Sequence, residues 1–418
     1  MHAGRSGNSS SADYHDDRRN PDVAIVDTST PTFYSDAKVV QALKERGTRH
    51  VTAIGAHVTA LPEESLRASR LDSVIRREPE MTADCLVDAL EKRGHLSGVT
   101  GTSYRTETGI IHNKDRPFVE NLDELPFPAR DLIDNEKYTM PISNEPYTLV
   151  IASRGCPHQC IYCTAHLYYG HKLRLRSPDN VLDEIEEIVG KFGTKDVTLW
   201  SDTFTLDRNF VTEICQRIEE RGLEFRWMAN SRVDRVDPDL LHTMKSAGCT
   251  MLSFGVESGC QEILNNIKKK TTLEQIKNAF TWCHEAKIET IAHFVLGLPG
   301  ENKDTVKQTL QLAKNIKPDY AQFYGAIPFP GTRFYQLAKE NFWLVTDDWT
   351  KYELNQTVVS TPELSAAELD KAKRAAFKGF YLRPNYMLKR LGQVRSVREG
   401  LNLPKQSLNF MKEWVRSK

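Results

Sequence analysis

No stretch of this sequence approaches the roughly 18 consecutive apolar residues that a membrane-crossing helix needs, so no transmembrane span is expected. Net charge is missing too. Lys and Arg number 56 and so do Asp and Glu, which leaves no basic stripe for nucleic acid and no acidic tail. The opening residues are polar and lack the apolar centre of a secretory signal, so the expected compartment is the reducing cytoplasm. Disulfides are therefore not expected among the eight cysteines. Cys85, Cys215, Cys249, Cys260 and Cys283 read as ordinary buried thiols. What is present is an ordinary globular composition, 39% hydrophobic and 27% charged, over 418 residues, enough for two or three domains.

Residues 1–20 are small, polar and charged, the composition of a disordered tail. Residues 21–118 alternate short apolar strands with helical patterns, among them a helix that Ser35 would cap and one opened by Pro62, and 97–113 reads as a hairpin. The βαβαβα order predicts a doubly wound, Rossmann-like α/β domain with only three parallel strands. Residues 119–145, Pro-rich and without periodicity, read as a linker. From 146 to 344 six strand patterns alternate with helices, the series of a partial (βα)6 barrel whose chemistry would sit at the strand C-termini. Within it, Ser177 and Pro178 open a helix with an apolar stripe of Val181, Leu182, Ile185, Ile188 and Val189. Residues 345–418 read as a helical extension, basic and aromatic around 375–391, which either covers one side of the barrel or meets an apolar substrate or membrane face.

The densest chemistry is SRGCPHQCIYC at 153–163, just after the first barrel strand, with Cys156, Cys160 and Cys163 in C-x3-C-x2-C spacing. A disulfide would strand one thiol. Zinc wants four ligands and could recruit His166. Plain buried thiols do not account for three cysteines in eight residues beside Gly155 and Pro157. An iron–sulfur cluster held by three thiolates would leave one iron open to bind and polarise a ligand.

This triplet, with the aromatic Tyr162 before its last cysteine, resembles the radical S-adenosylmethionine (SAM) superfamily. Segments after the next five strands are similar to that family in order: WSDTFTLD (200–207), NSRVD (230–234), FGVESG (254–259), HFVLGLPGE (293–301) and PFPGTRFY (328–335). The resemblance covers about 120–340. It implies a 4Fe–4S cluster on Cys156, Cys160 and Cys163, and SAM contacts from Tyr162, Asp202, Ser231, Arg232, Glu257, Gly297 and Gly300. The family's usual Gly-Gly-Glu is absent around Asp202. Arg232 could instead pair with Asp234 or Asp237, Glu257 could form a structural salt bridge, and the Gly297–Gly300 loop could be only a turn. The implied chemistry is reductive cleavage of SAM to a 5′-deoxyadenosyl radical that takes hydrogen from an unactivated carbon.

The domain pairing also resembles the cobalamin-binding branch of this superfamily. TSTPTFYSD (28–36) and GAHVTALPEE (55–64) are similar to segments that make room for a corrin's nucleotide tail, which makes Thr28, Ser29, Thr30 and Gly55 the candidates. The departures are Ile54-Gly55 for a glycine pair, RREPE (76–80) with Arg77 in place of a glycine, and no D-x-H-x-x-G. His57 reads as a loop histidine, not a cobalt ligand. Two strands of the expected sheet are missing, so the domain looks truncated and its cobalamin binding stays open. The expected activity is cobalamin-dependent C-methylation of a lipid or secondary metabolite, with radical cyclisation, oxidation or rearrangement as one alternative and a non-catalytic metal-binding relic as the other. The expected electron donor is a ferredoxin or flavodoxin, with no nucleic-acid partner and peripheral membrane contact left open.

Overall fold

The computed structural model describes residues 21–140, 144–384 and 386–388. The tail at 1–20 and the end of the basic-aromatic stretch lie outside the described residues. The chain divides into two units between Arg116 and Pro117.

The first unit runs β1 (Val23–Asp27), α1 (Phe33–Glu45), β2 (His50–Ile54), α2 (Ala56–Ala60), α3 (Pro62–Ala68), β3 (Ser73–Ile75), α4 (Glu80–Arg93), β4 (Thr102–Thr106) and β5 (Gly109–His112). The sheet order is β1-β2-β3-β4-β5. The first three strands pair in parallel, and the hairpin β4/β5 adds on antiparallel to β3. Both faces are covered. Ala24 and Val26 join the core of Val40, Val58 and Leu66, while Val23 joins Leu86, Ala89 and Tyr104 on the other side. Helix α1 starts three residues before the position expected from Ser35. Thr32 is the boundary residue, and Ser35 sits inside the first turn with its hydroxyl on the Thr32 carbonyl at 2.6 Å. Thr32 gives no side-chain cap: its backbone is already helical (φ −95°, ψ −9°), and its hydroxyl turns back to accept the Ser29 N–H at 3.0 Å.

The second unit runs β6 (Tyr147–Ile151), β7 (Ser153–Arg154), α5 (Ala165–Tyr169), β8 (Arg174–Leu175), α6 (Pro178–Phe192), β9 (Asp196–Trp200), α7 (Arg208–Glu220), β10 (Arg226–Ser231), α8 (Pro238–Ser246), β11 (Cys249–Glu257), α9 (Gln261–Asn266), α10 (Leu273–Glu285), β12 (Glu289–Leu296), α11 (Lys303–Asn315), β13 (Tyr320–Gly325), α12 (Arg333–Glu340) and α13 (Ala366–Tyr381). Six strands form one parallel sheet in the order β13-β12-β11-β10-β9-β6, with β7/β8 as a separate two-stranded ribbon. Alternation along the strands sorts two faces. Phe254 packs on Phe280 of α10, and Phe294 stacks on Phe323, which meets Phe380 of α13. That is the helix-covered face. The opposite, inner face carries the half-buried Trp200, Met228, Asn230, His293, Gln322 and Tyr324. Six parallel strands in sequence order make a (βα)6 sheet that does not close, so β6 and β13 each have a free edge.

Side chains cover both edges. At β6, Arg130 donates to the Leu149 carbonyl at 2.8 Å and Arg176 to that of Ile151 at 3.0 Å. Both guanidiniums also meet Glu184 of α6, which is 1% exposed. The segment read as a linker is therefore docked. Besides Arg130, the Asp123 carboxylate accepts the Ser177 N–H at 2.9 Å, and Arg174 and Arg176 lie over the rings of Phe118 and Phe127. It escaped detection because isolated side chains on 3-10 turns anchor it, and these leave no periodic signal. At β13, the Tyr381 hydroxyl both accepts from the Ala321 N–H at 3.1 Å and donates to its carbonyl at 2.7 Å, and Tyr386 donates to the Asp319 carbonyl at 2.8 Å. The aromatic extension thus covers a sheet edge. Among its described residues α13 is the long helix, and around 345–360 the chain folds back through an isolated bridge between Leu344 and Val359.

Removing one partner of a buried ion pair strands the other charge, at a cost of about 3–5 kcal/mol. Glu184→Ala strands two guanidiniums and opens the β6 edge. It is expected to lower the thermal midpoint by several degrees in a melt of the cofactor-free protein, whereas the exposed Lys191→Ala should leave it unchanged.

Candidate functional site

The three cysteines follow β7 at the C-terminal end of β6. Gly155 makes this turn possible: its φ is 87°, and a Cβ there would lie 2.1 Å from the Lys172 carbonyl oxygen. The Asp202 carboxylate, just past β9, accepts the Gly155 N–H at 3.0 Å, and burial raises the pKa of this acid. Backbone bonds fix the loop: Ile161 N–H to Ile267 at 3.2 Å, Phe334 N–H to Ile161 at 2.9 Å and Cys163 N–H to Cys160 at 3.2 Å. Cys156, Cys160 and Cys163 are all unpaired thiols of intermediate exposure. Burial pushes the Cys163 thiol up to about 12 and raises that of Cys156.

Tyr162 points to the end of β11. Its hydroxyl donates to Glu257 at 2.8 Å, and the Lys269 ammonium reaches the same carboxylate oxygen at 2.7 Å. Glu257 and Lys269 are 5% and 6% exposed. Burial works against the Lys269 charge, but Glu257 and Cys160 together outweigh it and hold the pKa above the ordinary value. Glu257 has φ 66°, past an irregularity in the β11–β12 register, and this strained backbone turns its side chain toward the cysteine loop. Gly255 leaves the room, since a Cβ there would meet Glu257 Oε1 at 2.4 Å and Lys269 Nζ at 2.7 Å.

Arg232 is buried and lies on Asp234 through two bonds at 2.9 and 3.1 Å, with a third to the Lys269 carbonyl at 2.9 Å. Ser231 shares a 2.6 Å hydroxyl contact with Thr205. Arg232 and Glu257 thus have protein partners of the structural kind, on the same side as the cysteines. At Gly297 and Gly300 the space of a Cβ is taken by Leu369 and by Asn266, so packing within the unit explains both glycines. His166, the candidate fourth zinc ligand, stacks on His171 and bonds to the backbone at Gly331 and Cys163.

In the first unit Thr28, Ser29, Thr30 and Gly55 gather at the C-terminal ends of β1 and β2. Thr28 donates to Asp36 at 2.7 Å, and a Cβ on Gly55 would lie 1.9 Å from the Thr28 carbonyl oxygen. His57 is fully buried on the ring of Phe33, with Thr30 at 3.4 Å, and burial lowers its pKa to about 4. Arg77 adopts φ 66°, the backbone that glycine takes most readily, and its guanidinium pairs with Asp115 at 2.7 Å.

The comparisons with known proteins fit this geometry. The model of the radical SAM superfamily matches residues 150–313. An uncharacterized methyltransferase of Pyrococcus horikoshii is 34% identical over 372 residues, which cover 88% of this chain and 80% of that protein. The chain belongs to the radical SAM superfamily. The anaerobic magnesium-protoporphyrin IX monomethyl ester cyclase of Rubrivivax gelatinosus is 27% identical over 375 residues, covering 88% of this chain and 67% of that protein. The structure of TsrM from Kitasatospora setae, a radical SAM methyltransferase with cobalamin and a 4Fe–4S cluster bound, has the same fold with a TM-score of 0.71 at 16% identity, over 88% of this chain and 80% of that one.

A radical SAM protein requires a 4Fe–4S cluster and SAM, and the donor set suits the cluster. Among the described residues no three His, Cys, Asp or Glu side chains converge on a point that would hold a single ion. A cubane takes each thiolate on a different iron, so its three sulfurs need no common point. Soft thiol donors on one anchored loop are the chemistry it asks for.

Sequence reasoning missed two features of this unit. One is the row Ser253, His293 and Tyr324 on the inner face, hidden because strand patterns do not show which strands lie side by side. The other is Glu301, 1% exposed, whose carboxylate closes the Gly297 turn through the Gly297 N–H at 2.5 Å. Burial raises its pKa to about 7. An acid whose folded pKa exceeds its unfolded value binds more protons when folded, so its contribution to stability falls as pH rises from about 4.5 to 7. In melts of the cofactor-free protein, Glu301→Gln should therefore gain on the wild type between pH 5 and pH 8; a pH-independent difference would show that Glu301 does not titrate there.

Proposed function

We propose that this protein is a radical SAM methyltransferase that adds a methyl group to an unactivated carbon of a lipid or secondary metabolite, with cobalamin as methyl carrier. The observation that carries the reading is the anchored three-thiol loop at the C-terminal ends of an open six-stranded parallel sheet. Similarity to the Pyrococcus methyltransferase across 88% of the chain supports the methyl transfer. The likeness to cobalamin-bound TsrM supports the carrier.

In this reading Cys156, Cys160 and Cys163 hold the cluster. Tyr162, Asp202, Ser231, Arg232, Glu257 and the Gly297–Gly300 turn face SAM, and Thr28, Ser29, Thr30 and Gly55 make room for the corrin's tail. When bound, the cluster supplies the electron that splits SAM to a 5′-deoxyadenosyl radical. The protein's own part is positional: Glu257 and Lys269 hold the loop, and the covered sheet edges keep water from its backbone. A ferredoxin or flavodoxin would deliver the electron. No helix among the described residues is long and apolar enough to cross a membrane. A second reading, radical cyclisation, has the support of the 27% identity to the Rubrivivax cyclase.

Anaerobic reconstitution with dithionite, SAM and hydroxocobalamin tests both. The wild type is expected to bind corrin, to release 5′-deoxyadenosine and, once supplied with its substrate, to form S-adenosylhomocysteine. Cys160→Ala should lose 5′-deoxyadenosine entirely, and unchanged cleavage would reject that ligand. A wild type that releases 5′-deoxyadenosine but forms no S-adenosylhomocysteine from its substrate, with corrin bound or not, favours the cyclase-type reading.

A further inference from the structure

The run Lys268-Lys269-Lys270 after α9 splits between inside and outside. Lys269 is 6% exposed and pairs with Glu257, whereas Lys268 and Lys270 are exposed. Both outer lysines adopt left-handed backbone, with φ 55° and 56°. This turn touches the cysteine loop. The Cys160 thiol lies 3.9 Å from the Lys268 carbonyl oxygen, and the Ile161 N–H donates to the Ile267 carbonyl at 3.2 Å. Cys160 is itself half-buried, so a thiol of the loop stands beside a residue whose ammonium is in solvent.

Two observations set the outer lysines apart from the solvated ends of an ordinary turn. Glycine and asparagine take left-handed backbone more readily than lysine, so the turn does not ask for lysine at either position. The inward cations are also matched, Lys269 by Glu257 and Arg232 by Asp234, while among the described residues neither Lys268 nor Lys270 has an ion-pair partner. The segment 258–272 holds three lysines against one acid, Glu262. On another flank of the loop, Arg235 is exposed and close enough to His158 for its charge to act on that ring. The exposed positions of the loop itself, Pro157 and Gln159, are uncharged, so the rim around it is positive.

We propose that Lys268 and Lys270, with Arg235, form the docking surface for a small acidic one-electron carrier protein such as a reduced flavodoxin. Electron transfer weakens steeply with distance, so the carrier's redox centre has to come close to the cluster. At Lys268 an exposed cationic residue touches one of the thiols that would hold it. One electron leaves the carrier, which is oxidised, and the cluster is reduced by one; no bond or proton moves between the two proteins. A positive rim steers an acidic partner and raises its association rate by about 10- to 1000-fold, an effect that salt screens. Such charges act on encounter more than on affinity, which suits a carrier that must leave again. The inference rests on the proposed function in placing a cluster on this loop.

The test is stopped-flow reduction of the anaerobic holoprotein, SAM present, followed by the colour change of the reductant as it is oxidised. Two reductants are compared: flavodoxin hydroquinone, an acidic protein, and reduced methyl viologen, a small cation. The double variant Lys268→Glu, Lys270→Glu is expected to lower the second-order rate constant with flavodoxin by on the order of tenfold at low ionic strength, to flatten its salt dependence, and to lose no rate with viologen. Calorimetry with oxidised flavodoxin should show weaker binding to the same variant. Lys287 and Lys317 are exposed lysines of the same left-handed backbone, but they stand before β12 and β13, at the opposite end of the sheet. Lys287→Glu, Lys317→Glu should match the wild type with both reductants. An unchanged flavodoxin rate in the first variant, an equal slowing with both reductants, an equal slowing in the second variant, or a wild type that flavodoxin does not reduce overturns the proposal. A wild-type cluster that viologen reduces without release of 5′-deoxyadenosine rejects the enzymatic reading and leaves the docking result standing.

Discussion

The buried pair between Glu257 and Lys269, with the Tyr162 hydroxyl on the same carboxylate, is the interaction on which the rest of the site depends. It joins the middle of the cysteine loop to the end of a central strand and to the turn after α9. A buried ion pair adds little to stability in general, because desolvation offsets the attraction, but losing one partner is costly. Here the pair sets position. Among the described residues no fourth side chain joins the three thiols, and contacts such as this pair hold the loop in place.

The open sheet imposes the second constraint. Six parallel strands place every strand C-terminus at one end, where Asp202, Ser231, Arg232 and Glu257 stand at the ends of three successive strands. An open sheet also leaves two edges, and side chains from outside the sheet reach both: Arg130 on a 3-10 turn before the first strand and Tyr381 at the end of α13 after the last. The inner face carries the Ser253–His293–Tyr324 row, and side chains bond to the strand backbone at both rims.

The six strands, most of the helices between them and the thiol loop are legible in the sequence because each leaves a local signal: apolar runs, Ser177 and Pro178 at a helix start, three cysteines in eight residues. Docking of the described part of residues 119–145 is not legible, since Arg130 and Phe127 act singly and their partners lie far along the chain. The short helices α2, α9 and α12 fall below the length at which periodicity shows. Partners of the site residues were half legible. Asp234 was a visible candidate for Arg232, whereas Lys269 for Glu257 was not, because it stands in the run KKK with nothing to mark it as the buried one. The packing reasons for Gly297 and Gly300 are likewise tertiary, set by Leu369 and Asn266.

The central claim is that the cluster on this loop keeps one iron open for SAM. It is tested most directly by electron paramagnetic resonance of the anaerobically reconstituted, dithionite-reduced protein, holding about four iron atoms and four sulfides per chain. The account predicts that adding SAM changes the g-values of the reduced cluster, as a new ligand on one iron must. A spectrum identical with and without SAM, or a preparation that holds no such cluster, would contradict it.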